Sequence, residues 1–227
     1  MGGESTRPKG MAYGEGADPV GEEEELRRVL PVIEQIARRT DVPVSIDTYK
    51  SSVARAALAA GAVIVNDISG FTFAPRMPAV VAAAGASAVV MHIRGTPKTM
   101  QANPVYADLF GEIGAFLSAA LAAGRKAGIR QMFADPGIGF GKTAADNFRL
   151  LAGLDRFRVL GAPLLVGPSR KSFLSGNEKL PPEERLEGTL AAVTAAVLNG
   201  ARVVRVHDVR AACRAVRVAD ELRRFRI

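Results

Sequence analysis

The pattern that most restricts the fold is an alternation running almost the whole length of the chain. Short β-branched and aliphatic runs are separated by longer stretches of helical periodicity. The runs are VPVSID at 42–47, AVIVND at 62–67, ASAVVMH at 86–92, RQMFAD at 130–135, APLLVG at 162–167 and ARVVRVHD at 201–208. This is the signature of βα units and a parallel sheet. The clearest helices are EEEELRRVLPVIEQIARR, with acids at its start and arginines at its end as the macrodipole favours, and VYADLFGEIGAFLSAALAAGRKAG at 105–128. No linker divides the chain, and 227 residues of which 48% are hydrophobic suffice for one core, so residues 1–227 read as a single domain.

Six strands do not close a (β/α)8 barrel. The chain opens on MGGESTRP, which leads into the first helix, yet a loop feeding a helix at the C-terminal edge of a sheet should follow a strand. The expected fold is therefore a TIM (β/α)8 barrel lacking the first strand, the first helix and most of the second strand, roughly 40 to 50 residues at about 30 or more per βαβ unit. An open doubly wound sheet is the alternative that needs no missing part.

A lone cysteine, Cys213, excludes an intramolecular disulfide framework, and no N-terminal apolar segment resembles a signal peptide, so the expected location is a reducing cytoplasm. The run AVVAAAGASAVVM at 79–91 is too short and too broken to span a bilayer. The net charge of +7 invites a nucleic-acid reading, but eight arginines against three acids fall between 202 and 227, most of them on one amphipathic helix. No RNP, helix-turn-helix or zinc-finger pattern accompanies them, so a solvated helix face is expected and no nucleic acid or membrane partner.

The stretch DPGIGFGKT at 135–143 looks like a phosphate cradle and is not one. Counting back from Gly141 and Lys142 puts Pro136 where a Walker A loop needs its first glycine, and after Gly137 and Gly139 a dinucleotide fingerprint needs a third glycine where Lys142 stands.

In a parallel barrel the chemistry sits at the C-terminal ends of the strands, and there polar residues recur: Asp47, Asn66, His92, Asp135, the loop GPSRKSF, and Arg205 and His207. Strand periodicity puts Arg205 and His207 on one face, and Asp47 opposite Val44 and Ile46. Each has a bland reading. Asp47 could cap the helix beginning near Lys50, Asn66 and Asp67 could form a turn, His92 could be a core or rim histidine, and His207 and Asp208 could cap the last helix. Two distant histidines and one cysteine supply no zinc cluster, and Ser169 and Ser172 lack the nucleophile-elbow pattern. Taken together, two carboxylates, an amide and a lysine facing one cavity could hold a 2-amino-4-oxopyrimidine edge through paired N–H bonds. Phe140 and Met91 could wall a flat ring.

The strings GGESTRP, SIDTYK, VIVNDISG, MHIRGTPKTMQ, FADPGIGFGK, LLVGPSRKSF and RVVRVHDV, in this order and spacing, resemble the dihydropteroate synthase family over the whole chain. The resemblance implies a (β/α)8 barrel, commonly a homodimer, that joins 6-hydroxymethyl-7,8-dihydropterin diphosphate to p-aminobenzoate in folate synthesis and releases diphosphate. It implies that Asp47, Asn66, Asp135 and Lys171 hold the pterin, with Met91, Phe140 and Gly167 shaping its slot. Arg7, Arg205 and His207 would hold the diphosphate, with Thr6 close by. Arg7, Lys171, Arg205 and His207 are then the catalytic set. Ser172, at the start of the helix after SRK, would receive the carboxylate of p-aminobenzoate at a helix N-terminus, and Pro8 would lie against its ring.

Mg2+ is the implied cofactor, but the family's metal-binding asparagine lies in a first loop resembling NVTPDSF that these 227 residues do not carry, so no metal ligand is assigned here. The start at Met1 is expected to be a truncated or misassigned beginning of a longer gene, or else a fragment that cannot close its barrel unaided. Lys9 after the STRP proline, and a connection to the first helix longer than the family's, put the ordering of that loop in question. A pterin-binding corrinoid methyltransferase should lack STRP and SRKSF. A non-catalytic pterin-binding protein would bind pterin without releasing diphosphate.

Overall fold

The computed structural model describes residues 2–6 and 18–225. Within them helices and strands alternate as α1 (Glu22–Arg39), β1 (Ser45–Asp47), α2 (Ser51–Ala59), β2 (Ile64–Asp67), α3 (Met77–Ala83), β3 (Ser87–Met91), α4 (Leu109–Ala127), β4 (Met132–Asp135), α5 (Ala144–Ala152), β5 (Leu164–Val166), α6 (Leu186–Leu198), β6 (Ala201–Val204) and α7 (Val209–Arg224). All six expected strands form, each shorter than its sequence run. No helix among the described residues is long and apolar enough to cross a membrane.

The strands pair in parallel in the order β1-β2-β3-β4-β5-β6, and Gly2 adds an isolated parallel bridge to Asp47 on the outer side of β1. A doubly wound sheet reverses its strand order at a switch point, and this order has no reversal. The sheet is also curled. Asp47 ends β1 and Arg205 follows β6, yet the two side chains form an ion pair. Five interstrand steps of a flat sheet would hold them about 24 Å apart.

Periodicity divides the strand residues between the two faces of this curl. Ile46, Val65, Ala88, Val90, Met132, Ala134, Leu164 and Val166 pack in one core with Val29, Val53, Ile113, Leu117 and Leu150 from the surrounding helices. The alternate positions, Asp47, Asn66, Met91, Asp135 and Gly167, therefore point to the concave face, and Arg205 follows Val204, which packs against the core. Burying eight aliphatic side chains on the convex face fixes this register, because a one-residue slip would exchange the two sets.

Two expectations fail in detail. β6 ends at Val204 rather than Asp208, so strand periodicity does not govern His207. Arg205 reaches Asp47, while His207 turns to Ser169. The helix expected straight after SRK is a four-residue 3-10 turn, Ser172–Ser175, and the next α-helix starts only at Leu186. Gly176 and the two prolines of LPPEE intervene and break helical continuation.

Candidate active site

The site is assembled at the C-terminal ends of the strands. Asp47 and Asn66 are register partners on β1 and β2, and Asn66 Nδ2 donates to Asp47 Oδ1 at 2.9 Å. The other Asp47 oxygen accepts from the Arg205 guanidinium. Asp47 caps nothing, since α2 starts from Lys50 without a side-chain cap. Asn66 Oδ1 is buried without a hydrogen-bond partner among the described residues. Asp67, by contrast, is a turn former, accepting from Ser69 N at 2.7 Å and Ser69 Oγ at 2.6 Å.

Asp135 ends β4 in register with Met91 at the end of β3. Burial pushes its carboxyl above the ordinary range, opposed by the Gly137 N–H at 2.7 Å and by the cations of Lys171, Lys142 and Arg205. Lys171 stands close by. Its Nζ donates to the Ile138 carbonyl and lies 4.5 Å from the centroid of the Phe140 ring. Burial lowers the Lys171 ammonium to about 8, with Asp135 resisting and Arg205 assisting.

The loop between β4 and α5 is a rigid wall. Gly137 has φ +72°, and a Cβ there would lie 1.9 Å from the His92 carbonyl oxygen, so only glycine fits. Gly139 N donates to Asn147 Oδ1 at 2.7 Å, and the Gly141 carbonyl accepts from Tyr106 at 2.7 Å. Lys142 is buried and donates to the Phe140 carbonyl at 2.9 Å.

On the far side, Ser169 Oγ lies 2.9 Å from His207 Nδ1 and accepts from the His207 backbone N–H at 3.2 Å. Asp208 makes a two-point ion pair with Arg170, at 2.9 Å to Nε and 2.6 Å to an Nη, and this pair holds its carboxyl below the usual range. Gly167 lies beside Arg205, its missing Cβ leaving 3.7 Å to that side chain. Ser172 follows Lys171 as the first residue of the 3-10 turn. Thr6 is half-buried, and Arg7 and Pro8 lie outside the described residues.

Several residues here were not marked out by sequence. Lys50 Nζ donates to Glu4 at 2.5 Å and to Glu25 at 2.6 Å, and Glu4 also accepts from Tyr49 at 2.6 Å and from Val20 N at 3.2 Å. Glu4 and Val20 flank the chain that carries Arg7 and Pro8. Ser169, Arg170 and Lys142 likewise act through partners far away in sequence. The only available signal was their place inside SRK and FGK.

A cavity of about 710 Å3 opens beside Glu4, Tyr49, Lys50, Phe73, Thr96 and Lys98. None of the concave-face residues lines it, and its carboxylates, Glu4 and Glu22, come from the N-terminal segment and α1 rather than from strand ends. The strand-end cluster, where Asp47, Asn66, Asp135, Lys171 and Arg205 come together, is the candidate site. Among the described residues no three His, Cys, Asp or Glu side chains gather as a metal site, so by themselves they do not fit Mg2+.

A family model described as pterin binding enzyme matches residues 1–207. The chain belongs to the pterin-binding enzyme family. A dihydropteroate synthase of Synechocystis is 48% identical over 225 residues, covering 98% of this chain and 75% of that protein. Among solved structures of the same family, dihydropteroate synthase of Yersinia pestis with a sulfonamide drug complex superposes with a TM-score of 0.90 at 39% identity, covering 97% of this chain and 78% of that one. The Thermus thermophilus enzyme in complex with 4-aminobenzoate gives 0.88 at 43% identity, with 97% and 82% covered. The pterin-binding family thus spans the curled sheet and every strand end described above.

Proposed function

We propose that this chain is a dihydropteroate synthase, a transferase that joins 6-hydroxymethyl-7,8-dihydropterin diphosphate to 4-aminobenzoate and releases diphosphate. One observation carries the reading: Asp47, Asn66, Asp135 and Lys171 meet around the concave face of a single sheet in a member of the pterin-binding family. Two carboxylates and a free amide oxygen can accept the N–H groups of a 2-amino-4-oxopyrimidine, and a lysine can donate to its oxygen. Met91, Phe140 and Gly167 are the residues this reading assigns to the walls of the ring's slot.

The substrate resolves the Arg205–Asp47 pair. Its ring offers N–H groups to Asp47 and its diphosphate offers oxygens to Arg205, so Asp47 exchanges a cation for hydrogen-bond donors and Arg205 exchanges a carboxylate for phosphate oxygens. The C–O bond then breaks with its electron pair leaving on diphosphate, where Arg205, His207 and Arg7 offset the growing charge. The methylene carbon carries cationic character that the electron-rich ring and Asp135 stabilise. The amine of 4-aminobenzoate forms the C–N bond and gives up one proton. Ser172 and Pro8 hold that second substrate, Ser172 through the hydroxyl and N–H groups of a single 3-10 turn rather than a full helix N-terminus. Mg2+, the cofactor the resemblance implies, would supply further positive charge to the leaving diphosphate, and none of the described residues is assigned to hold it.

The (β/α)8 barrel, the cytoplasm and a homodimer belong to this proposal. Consecutive strand order and curl support the first. α7 supports the last, because Val218, Leu222 and the following Phe225 stay exposed on one face. The test is a product assay with the purified chain, both substrates and Mg2+, alongside calorimetric binding of dihydropterin diphosphate. Dihydropteroate should form, and Asp135→Asn should weaken pterin binding roughly tenfold or more. A folded chain that binds no dihydropterin would sink the proposal.

A further inference from the structure

Lys142 is the residue of the glycine loop that the proposed reaction leaves without work. It is only 3% exposed. Its Nζ donates to the Phe140 carbonyl at 2.9 Å and stands 3.0 Å from Nδ1 of His92, itself 5% exposed just beyond β3. The His92 backbone N–H in turn donates to the Asp135 carbonyl at 3.0 Å. Burial, then the cations of Lys142 and Arg94, push the His92 imidazole down to about 3, so the ring is neutral at working pH and its Nδ1 can accept from an ammonium.

One ammonium therefore joins the end of β3 to the carbonyl of the residue expected to wall the pterin slot. It also lies close enough to Asp135 to stabilise that carboxylate. We propose that Lys142 is a positioning residue for the pterin, pinning the Phe140 wall and keeping Asp135 ionised as an acceptor. This rests on the pterin-binding reading above. Mere loop closure needs one donor to a carbonyl and one to an imidazole, and a neutral group would meet it. A charge buried in the same place is the part that loop closure does not explain.

The groups around it set the direction of the pH effect. Asp135 and Asp146 favour the ammonium, Lys171 and Arg94 oppose it, and burial outweighs them all, bringing Lys142 down to about 7. The Tyr106 ring, 6.0 Å away, stays neutral because burial raises its hydroxyl to about 12. Below neutrality Lys142 is thus charged, and its charge opposes the protonation of Asp135 that burial favours. Lys171 and Arg205 also face Asp135 and persist in a Lys142 variant. Removing the Lys142 charge raises the Asp135 pKa, so the acid limb of pterin binding moves to higher pH.

The test compares wild type, Lys142→Met, Lys142→Gln and Asn147→Ala by calorimetry with dihydropterin diphosphate from pH 4.5 to about 8, each variant being checked for a cooperative melt. Asn147→Ala loosens the same loop, through Gly139, without altering charge. The expected result is roughly tenfold weaker binding in all three variants, with an acid limb about one pH unit higher in the two Lys142 variants alone. Lys142→Gln keeps a donor, so it reports the charge even if the methionine variant does not fold. An acid limb unmoved in a folded Lys142 variant overturns the inference. Wild type that binds no pterin overturns the functional proposal instead, which keeps the two failures apart.

Discussion

Polar residues between strand and helix in this sheet fall into two kinds. Before α4 and α5 they serve their own helix: Asp108 accepts from Gly111 N at 3.1 Å, and Thr143 and Asp146 exchange both bonds of a capping box. Before α2 and α7 they do not. Asp47 stands four residues ahead of Ser51 and Asp208 directly ahead of Val209, yet neither helix has a side-chain cap. Asp47 reaches Asn66 and Arg205, and Asp208 reaches Arg170. A cap satisfies orphan N–H groups at a gain of about 1 kcal/mol, which any short polar side chain can supply. Where that gain is forgone, the polar group is held for the rim. At the ends of β1 and β6 function is marked by polar residues that no helix cap consumes, whereas Asp135 also gives an oxygen to its own loop, at 2.7 Å from Gly137 N.

Arg205→Ala tests this contrast most severely. Its guanidinium is committed to no helix and bridges the two outermost strands of the curl. Turnover should fall by about 10²- to 10³-fold, since a group that offsets the charge growing on the departing diphosphate is lost. Affinity for 6-hydroxymethyl-7,8-dihydropterin, which lacks the diphosphate, should stay within a few-fold. Steady-state kinetics and calorimetry check the two halves separately, and undiminished turnover would remove Arg205 from its assigned role.

Ser169→Ala probes a partner rather than a contact. Ser169 is 7% exposed, and its hydroxyl fixes both His207 Nδ1 and the His207 backbone. Without it the imidazole keeps its place in the chain but not its orientation. kcat should drop about tenfold while KM for both substrates changes little, the split expected of misaligned chemistry rather than lost binding. A rise in KM with kcat preserved would mean that Ser169 serves substrate binding instead.

Much of this organisation was visible in the sequence, for physical reasons that differ from place to place. The C-terminal ends of β1, β2 and β4 fall at Asp47, Asp67 and Asp135, where the runs VPVSID, AVIVND and RQMFAD end, because an aliphatic run stops where the polar rim begins. Parity along β1 set Asp47 opposite Val44 and Ile46, but that Asn66, Met91 and Asp135 share its face needed the strand register. Past the strand ends periodicity carries no information. His207 therefore parts company with Arg205, and the SRK helix proves to be a 3-10 turn. The Lys142–His92, Arg170–Asp208 and Lys50–Glu4 pairs join residues 50, 38 and 46 positions apart, brought together by loops whose paths no local pattern encodes. The resemblance carried by STRP and SRKSF named residues in these loops, but not the partners that hold them.

The smallest expected effect is the control on the whole contrast. Asp108→Ala removes a cap that lies outside the strand-end cluster and is bonded to its own helix. Stability should fall by about 1 kcal/mol and the melting temperature by about 2 to 4 °C, as for other Asp caps in a domain of this size. Catalysis at a temperature well below the melt should be unchanged in both kcat and KM. If Asp108→Ala lowered kcat/KM tenfold while melting like wild type, a locally consumed polar residue would be acting at the rim. The division between capping and functional side chains would then fail as a way of finding the site.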